Sequence, residues 1–78
     1  MLEENVFRII GQVMNIPYGD VSEDTSPDNL EVWDSFQHMN LVLALEEEFK
    51  IRFTDEEIVQ LSGAGMILQS LQNKGVGA

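Results

Sequence analysis

The central stretch of the sequence reads VWDSFQHMNLVLALEEEF over residues 32–49. Its apolar residues recur at spacings of three and four, which predicts a helix from residue 35 to about residue 50. Asp34 is a favourable N-cap residue, and Gln37, three positions later, can complete a capping box with it. The sequence therefore predicts that Ser35 is the first helical residue and that its hydroxyl lies at the helix start.

The predicted position of Ser35 favours an anion. The first backbone N–H groups of a helix lack intrahelical partners, and the helix dipole adds partial positive charge there. A phosphate group is stabilised in such a place. We interpret Ser35 as a residue that carries a phosphate-bearing group, and the helix behind it as a surface that other proteins bind.

The predicted central helix has two apolar faces at about 100° per residue. The face expected to point into the core consists of Leu41, Val42, Leu45 and Phe49. The opposite face consists of Phe36, Met39 and Leu43, with Asn40 and Glu47 among them. An outward apolar patch beside a modified residue predicts a protein-docking surface. The alternative is that another helix of the same chain covers this patch.

The composition excludes several classes of function. The 78 residues include 14 acidic and four basic side chains, a net charge of −10, and no cysteine. Twelve of the acids lie in residues 20–57, where they repel nucleic acids and anionic membranes and attract basic protein partners. Without cysteine, neither a disulfide nor a thiolate metal site is available. No apolar run reaches the ~20 residues of a membrane span, and the acidic start lacks the features of a signal peptide, so we expect a cytoplasmic protein without membrane insertion.

The N-terminal part of the chain predicts one helix and a long loop. Residues 2 to about 15 have apolar residues at helical spacing, and Pro17 forbids continuation of that helix. The polar connection over residues 17–33 is long enough that its own apolar residues should pin it to the core. The residues expected to do so are Val21, Leu30, Val32 and Trp33.

The C-terminal part predicts two further helices. Thr54 and Glu57 have the spacing of a capping box that opens a short helix. A last helix is expected from about residue 64 to residue 72. The sum is an all-α fold, a four-helix bundle of three main helices and one short one, with the long loop between helices 1 and 2. We expect a single domain over residues 1–78 and a monomer, with a frayed tail at 74–78.

A catalytic interpretation would use Ser35 as nucleophile, His38 as base and Asp34 as orienting acid. However, His38 lies about 60° from Ser35 around the same helix, and Asp34 is engaged as the cap. No second element supplies an oxyanion hole, so we reject a triad and expect no enzymatic activity. His38 is interpreted as a half-buried spacer.

A calcium interpretation also exists, because the spacing of an EF-hand loop is partly present from Asp20 onward. The positions that would supply oxygen ligands are Asp20, Ser22, Asp24, Ser26, Asp28 and Glu31. The sixth position requires glycine for its sharp turn, whereas this chain has Thr25 there. We therefore expect no metal and keep this set as an alternative.

Three motifs make the sequence resemble the acyl carrier proteins. They are Asp34-Ser35-Phe36, then LVLALEEEF over residues 41–49, and then FTDEEI over residues 53–58. The family pattern is Asp-Ser followed by Leu or Met, a helix ending in Leu-Glu-Glu-Glu-Phe, and a short helix opened by an acidic cluster. The resemblance covers nearly the whole chain, and the register between Asp-Ser and the residues after it makes the match specific.

The resemblance implies a carrier whose Ser35 receives 4′-phosphopantetheine from coenzyme A, through a magnesium-dependent phosphopantetheinyl transferase. Asp34 belongs to the motif and caps the helix, and the thiol of the arm would hold acyl or related intermediates as thioesters. The further partners implied are acyl-activating ligases, acyltransferases and synthases, whose Arg or Lys would meet acidic residues of the carrier. The implied partner-contact positions are Phe36, Met39, Leu43, Glu46 and Glu47.

Two departures from the family pattern concern the pathway. Trp33 stands where carriers of fatty acid biosynthesis usually have Gly-Ala, and SGAGM over residues 62–66 replaces the usual Thr/Ser-Val segment. Trp-Asp-Ser resembles discrete, stand-alone carriers, so we expect a specialised pathway such as polyketide or other secondary-metabolite biosynthesis. The alternative is a small acidic helical domain that binds calcium or another protein and is never pantetheinylated.

Overall fold

The computed structural model describes residues 2–76, and within that range the chain forms helices and no strand. The helices are α1 (Leu2–Met14), α2 (Ser35–Phe49), α3 (Asp55–Gln60) and α4 (Ala64–Asn73), with a single 3₁₀ turn at Tyr18–Asp20. The all-α, four-helix prediction is confirmed, including the short third helix and the long loop before α2.

The core lies where α1 packs against α2 and α4. Its fully buried side chains include two from each of these helices: Val6, Ile10, Leu41, Leu45, Ile67 and Leu71. Burying such a side chain contributes about 1.5–3 kcal/mol, so this apolar cluster is the main source of stability. The inward face predicted for α2 is confirmed at Leu41, Val42 and Leu45.

The end of α1 differs in mechanism from the prediction. The helix stops at Met14 because Asn15 adopts a left-handed conformation (φ 59°), and the Ile16 N–H then donates to the Gly11 carbonyl at 3.0 Å. This is the Schellman pattern of a helix C-terminus. A Cβ on Gly11 would lie only 3.0 Å from the Ile16 carbonyl oxygen, so the chain can fold back here because residue 11 is glycine. Pro17 follows the stop rather than causing it.

The loop before α2 is attached to the core by Trp33 and Val21, which are buried, and by Leu30, which is partly buried. The prediction for Val32 is wrong, since that side chain is exposed. Thr25, which was not expected to be buried, is buried instead. Its Oγ1 accepts a hydrogen bond from the Ser22 N–H at 2.9 Å and thereby closes a turn in the loop.

The start of α4 is built on the same loop. The Ala64 N–H donates to the Thr25 carbonyl at 2.8 Å, and the Gly65 N–H donates to the Glu23 carbonyl at 3.1 Å. Loop carbonyls therefore satisfy helix-terminal N–H groups that have no intrahelical partner. A Cβ on Gly63 would lie 3.2 Å from the Thr25 oxygen, so the close approach requires a residue without a side chain.

The C-terminal segment contacts the rest of the chain as far as Val76. Lys74 Nζ forms an ion pair with Glu57 at 2.9 Å and lies 5.5 Å from the centroid of the Phe53 ring. The Val76 N–H donates to the Leu71 carbonyl at 3.0 Å. These contacts involve residues of the tail expected to fray over 74–78; that fraying stays a prediction, and the last two residues of the tail lie outside the described range.

Among the helices of residues 2–76, none is long and apolar enough to cross a membrane.

Candidate functional site

Ser35 is the first residue of α2, and its side chain is exposed. Asp34 precedes it in an extended conformation and caps the helix, because its carboxylate accepts the Gln37 N–H at 2.9 Å. The Asp34 carbonyl accepts the His38 N–H at 2.8 Å, which is the first bond of the helix. The hydroxyl of Ser35 thus lies at the positive end of a 15-residue helix dipole and is accessible.

The capping box predicted here is only half formed. The Asp34 side chain makes its bond, but the side chain of Gln37 does not return to the cap. Its Oε1 instead accepts from the Asn40 Nδ2 at 3.0 Å, farther along the helix. The start of α2 is therefore defined by one capping bond rather than two.

His38 is half-buried, as interpreted from the sequence, and both ring nitrogens have partners. Trp33 Nε1–H donates to His38 Nδ1 at 3.0 Å, and His38 Nε2 lies 2.9 Å from the Ile58 carbonyl oxygen. The two rings are also stacked, with centroids 6.1 Å apart. No sequence pattern indicated this connection, because Ile58 lies 20 residues from His38 and meets it only through the packing of α3.

These bonds give a direct reason to reject the catalytic triad. A general base must reach the nucleophile with a nitrogen lone pair, and an orienting acid must reach the other nitrogen. In this chain the two nitrogens of His38 are hydrogen-bonded to the Trp33 indole and the Ile58 carbonyl. The carboxylate of Asp34 is bonded to the backbone of the helix that it caps. Ser35 is therefore a hydroxyl that other molecules can reach, and His38 and Asp34 are both engaged with other groups.

An open groove of about 520 Å³ begins at Ser35 and runs between α2 and α3. Its lining is mostly apolar and is contributed by the loop, both helices and the α3–α4 connection: Pro27, Trp33, Asp34, Ser35, His38, Met39, Val59, Leu61 and Ser62. The groove is large enough to receive a flexible chain attached at its rim.

The outward face of α2 is exposed, so no other helix within residues 2–76 covers it. Phe36 is 74% exposed and Leu43 is 60% exposed, and Met39 and Glu47 are exposed as well. Val59 on α3 is 82% exposed and extends the apolar surface to the far side of the groove. Sequence reasoning missed Val59, although an apolar residue directly after Ile58 in a short helix is a signal that could have found it.

Glu46 has an internal role, unlike its neighbour Glu47. Its side chain is half-buried, and its Oε2 accepts the Phe53 N–H at 2.8 Å. Its carbonyl also accepts the N–H of Lys50, which ends α2 in a left-handed conformation (φ 56°). Glu46 therefore fastens the connection between α2 and α3, and we leave it out of the proposed partner face.

Glu57, in the first turn of α3, has a carboxyl group whose pKa is shifted. The bond from the Thr54 N–H, followed by the bond from Lys74, lowers the pKa of the Glu57 carboxyl below its ordinary value of 4.5. The charged form of Glu57 therefore holds the start of α3 and connects it to the segment after α4.

The loop residues of the calcium pattern do not assemble into a metal site. Within residues 2–76, no group of three or more His, Cys, Asp or Glu side chains converges as metal binding would require. The serine oxygens of the pattern close turns instead. Ser22 Oγ accepts the Asp24 N–H at 3.3 Å, and Ser26 Oγ accepts the Asp28 N–H at 3.2 Å.

The fold is that of a small helical carrier, and comparison with known proteins supports that class. The chain is 37% identical over 72 residues to the acyl carrier protein of Acidothermus cellulolyticus, which covers 91% of this chain and 84% of the relative. It is 33% identical over 76 residues to the acyl carrier protein of Buchnera aphidicola subsp. Acyrthosiphon pisum, and that match covers 96% of this chain and 94% of the relative.

Among solved structures, a holo acyl carrier protein from Geobacter metallireducens superposes with a TM-score of 0.82 at 29% identity, covering 92% of this chain and 83% of that one. No protein-family model matches the sequence. The chain belongs to the acyl carrier protein family, as the sequence motifs indicated. Members of this family are carriers rather than catalysts, and the prosthetic group that membership implies is 4′-phosphopantetheine.

Proposed function

We propose that this protein carries acyl or related intermediates as thioesters on a 4′-phosphopantetheine arm attached to Ser35. The observation that supports this assignment is the exposed Ser35 hydroxyl at the first position of α2. In the modification, Ser35 Oγ gives up its proton and bonds to the pantetheine-side phosphorus of coenzyme A, while the phosphoanhydride bond breaks and adenosine 3′,5′-bisphosphate leaves. The phosphodiester that results lies at the N-terminus of α2, where the helix dipole stabilises its charge.

The residues around Ser35 fit the prosthetic group. Ser35 is on the rim of the groove, so an arm attached there can extend along the apolar walls or turn away into solvent. The chain has no cysteine, so the thiol of the arm supplies the thioester chemistry that the protein itself lacks.

The proposed partner face consists of Phe36, Met39, Leu43 and Glu47 on α2, to which we add Val59 on α3. Its apolar side chains are exposed and its acidic residues attract basic surfaces, so it fits partner enzymes that present Arg or Lys around an apolar patch. The partners proposed are the phosphopantetheinyl transferase and the acyl-activating ligases, acyltransferases or synthases that load and unload the arm.

The pathway we propose is a specialised one. Its support is Trp33 in place of the usual Gly-Ala before Asp-Ser, because the indole is buried and bonded to His38 and so belongs to a local structure of its own. The intact mass of the protein purified from its native host tests this proposal. A cargo other than a growing fatty acyl chain supports it, and a series of saturated fatty acyl chains contradicts it.

The attachment site is tested by incubating the protein with coenzyme A, Mg²⁺ and a broad-specificity phosphopantetheinyl transferase. We expect a mass gain of one phosphopantetheinyl group, which Ser35→Ala abolishes. Ser62→Ala is the matched control, because Ser62 is an exposed serine lining the same groove and its removal should leave loading intact. An unchanged mass of the folded wild type, or equal loading of Ser35→Ala, contradicts the proposal.

The partner face is tested with Leu43→Ala and Glu47→Lys, because both side chains are exposed and their loss has little effect on packing. We expect slower loading with unchanged helicity. Glu48→Lys is the control, since Glu48 is also exposed and acidic but lies outside the proposed face. Equal slowing in the control would show a general effect of net charge rather than a docking surface.

A further inference from the structure

The ring of His38 joins the segment that precedes Ser35 to α3. One nitrogen is bonded to the indole of Trp33, which lies two residues before Ser35, and the other to the carbonyl of Ile58. That carbonyl is near the end of α3, where it also accepts the Leu61 N–H at 3.3 Å. A single side chain therefore holds both the approach to the modified residue and the opposite wall of the groove.

The two bonds require a neutral imidazole. A carbonyl oxygen only accepts hydrogen bonds, so His38 Nε2 must carry the hydrogen. An indole N–H only donates, so His38 Nδ1 must offer its lone pair. A protonated ring would keep its bond to Ile58 but would set two donors against each other at Trp33. Proton uptake therefore breaks the bond on the Ser35 side and leaves the α3 side in place.

We propose that His38 is a positioning residue for the modification of Ser35. The neutral ring holds the buried indole of Trp33, and the indole in turn fixes the direction in which Asp34 and Ser35 enter α2. Uptake of a proton releases Trp33 and makes Ser35 a poorer substrate. This inference rests on the proposed function in that Ser35 is taken as the modified residue.

Few other ionisable groups line the groove beside His38, so the effect of protonating His38 on Ser35 can be measured separately. Two ionisable side chains are among the residues described as lining the groove. They are His38 and Asp34, the cap of α2. The walls contributed by the loop, α3 and the α3–α4 connection are Pro27, Val59, Leu61 and Ser62, which carry no charge. Histidine is the side chain that ordinarily changes its charge between about pH 5 and 8. A variant that changes His38 alone keeps Asp34 and so separates the two groups.

The bond itself is tested by the indole N–H resonance, which is a single signal because Trp33 is the only tryptophan. We expect it to move when acid protonates the ring of His38, because the lone pair that accepts the indole N–H is then lost. In His38→Gln it should stay in place, because glutamine offers an amide oxygen and an N–H at every pH of the titration. A wild-type signal that does not move, or moves equally in His38→Gln, overturns the proposal.

The consequence for Ser35 is tested by loading both proteins with coenzyme A and the same transferase. The ratio of the wild-type rate to the His38→Gln rate cancels the pH dependence of the enzyme. We expect the ratio to fall about fivefold once the indole signal has moved, the factor that corresponds to one hydrogen bond. A constant ratio contradicts the positioning role even if the indole signal titrates.

Trp33→Phe provides a second variant if His38→Gln does not fold. It keeps an aromatic ring but removes the donor, so Trp33→Phe should be loaded slowly at both high and low pH. The wild type should be loaded faster than this variant at high pH and at the same rate at low pH. Loading that remains as fast as that of the wild type at about pH 8 overturns the proposal. If the wild type is not loaded at any pH, the proposed function fails, while the indole signal still decides whether the His38 bond is sensitive to protonation.

Discussion

The starts of α2 and α3 have the same kind of capping sequence but are completed differently. At α3, Thr54 accepts the Glu57 N–H at 3.1 Å and Glu57 accepts the Thr54 N–H at 2.8 Å, so the box is closed. At α2, Asp34 makes its bond, and Gln37 turns to Asn40 instead. A capping motif therefore determines where a helix begins, whereas the neighbouring groups determine how completely that start is closed.

The start of α4 is a third case, closed by the backbone of the loop rather than by side chains. Both α3 and α4 thus have starts engaged by groups that belong to the bundle, and Lys74 adds an ion pair at α3. The start of α2 has a single side-chain cap and an exposed serine. This difference fits a helix start that is used by other proteins, beside two that stabilise the fold.

The largest effect expected is at α4. Gly63→Ala places a Cβ 3.2 Å from the Thr25 oxygen and from Ser26 Cβ, and such overpacking costs about 1–3 kcal/mol. Urea unfolding measures the loss of stability. Gly19→Ala is the control, because a Cβ there meets nothing within 4 Å and should have little effect. Equal stability of the two variants would show that the loop does not depend on this close approach.

Removal of either cap should cost about 1 kcal/mol, but the consequences should differ. Thr54→Ala and Asp34→Ala are each expected to lower the free energy of unfolding by this amount. Thr54→Ala should still be loaded at the wild-type rate when folded, whereas Asp34→Ala should be loaded more slowly because Ser35 is no longer held at a defined helix start. Asp34→Asn preserves a capping oxygen and should recover the stability. Slow loading of Thr54→Ala would remove the distinction between the two helix starts.

Acid should weaken the start of α3 through Glu57. The pKa of this carboxyl is lowered in the folded protein, so its stabilising effect is complete at pH values above 4.5 and is lost as the pH falls through the lower folded value. Comparison of wild type with Glu57→Gln by urea unfolding at several pH values measures this dependence, which should be flatter in the variant. The same slope in both proteins would contradict the assignment to Glu57.

The smallest effect is expected at Gln37. Because its side chain does not return to the cap, Gln37→Ala should change stability by less than about 0.5 kcal/mol, the usual range for a surface substitution. Glu57→Ala, which removes the reciprocal bond at α3, should cost more. Thermal unfolding of the two variants under the same conditions makes the comparison. Equal losses would mean that the box at α2 is closed in solution.

Local sequence signals predicted much of the fold. The helical spacing, the caps at Asp34 and Thr54 and the breakers around the helices placed all four elements within a few residues of their observed bounds. The signals failed where the answer lay in a distant neighbour. Val32 is as apolar as Val21, yet only Val21 is buried, because the loop turns one of them away from the core. The role of Gly63 and Gly65 likewise depends on distant residues, because the loop carbonyls of Thr25 and Glu23 lie against them.

The features of the candidate site likewise fall into those that the sequence predicted and those that only the structure showed. Position along a helix is a local property, so the sequence alone determined that α2 begins at Ser35 and that Phe36, Met39 and Leu43 share a face opposite the buried one. Burial, bonding partners and grooves depend on segments far apart in the chain. Only the tertiary structure therefore brought the Ile58 carbonyl to the His38 ring and the Glu46 carboxylate to the Phe53 N–H. It also placed Val59 across the groove from α2.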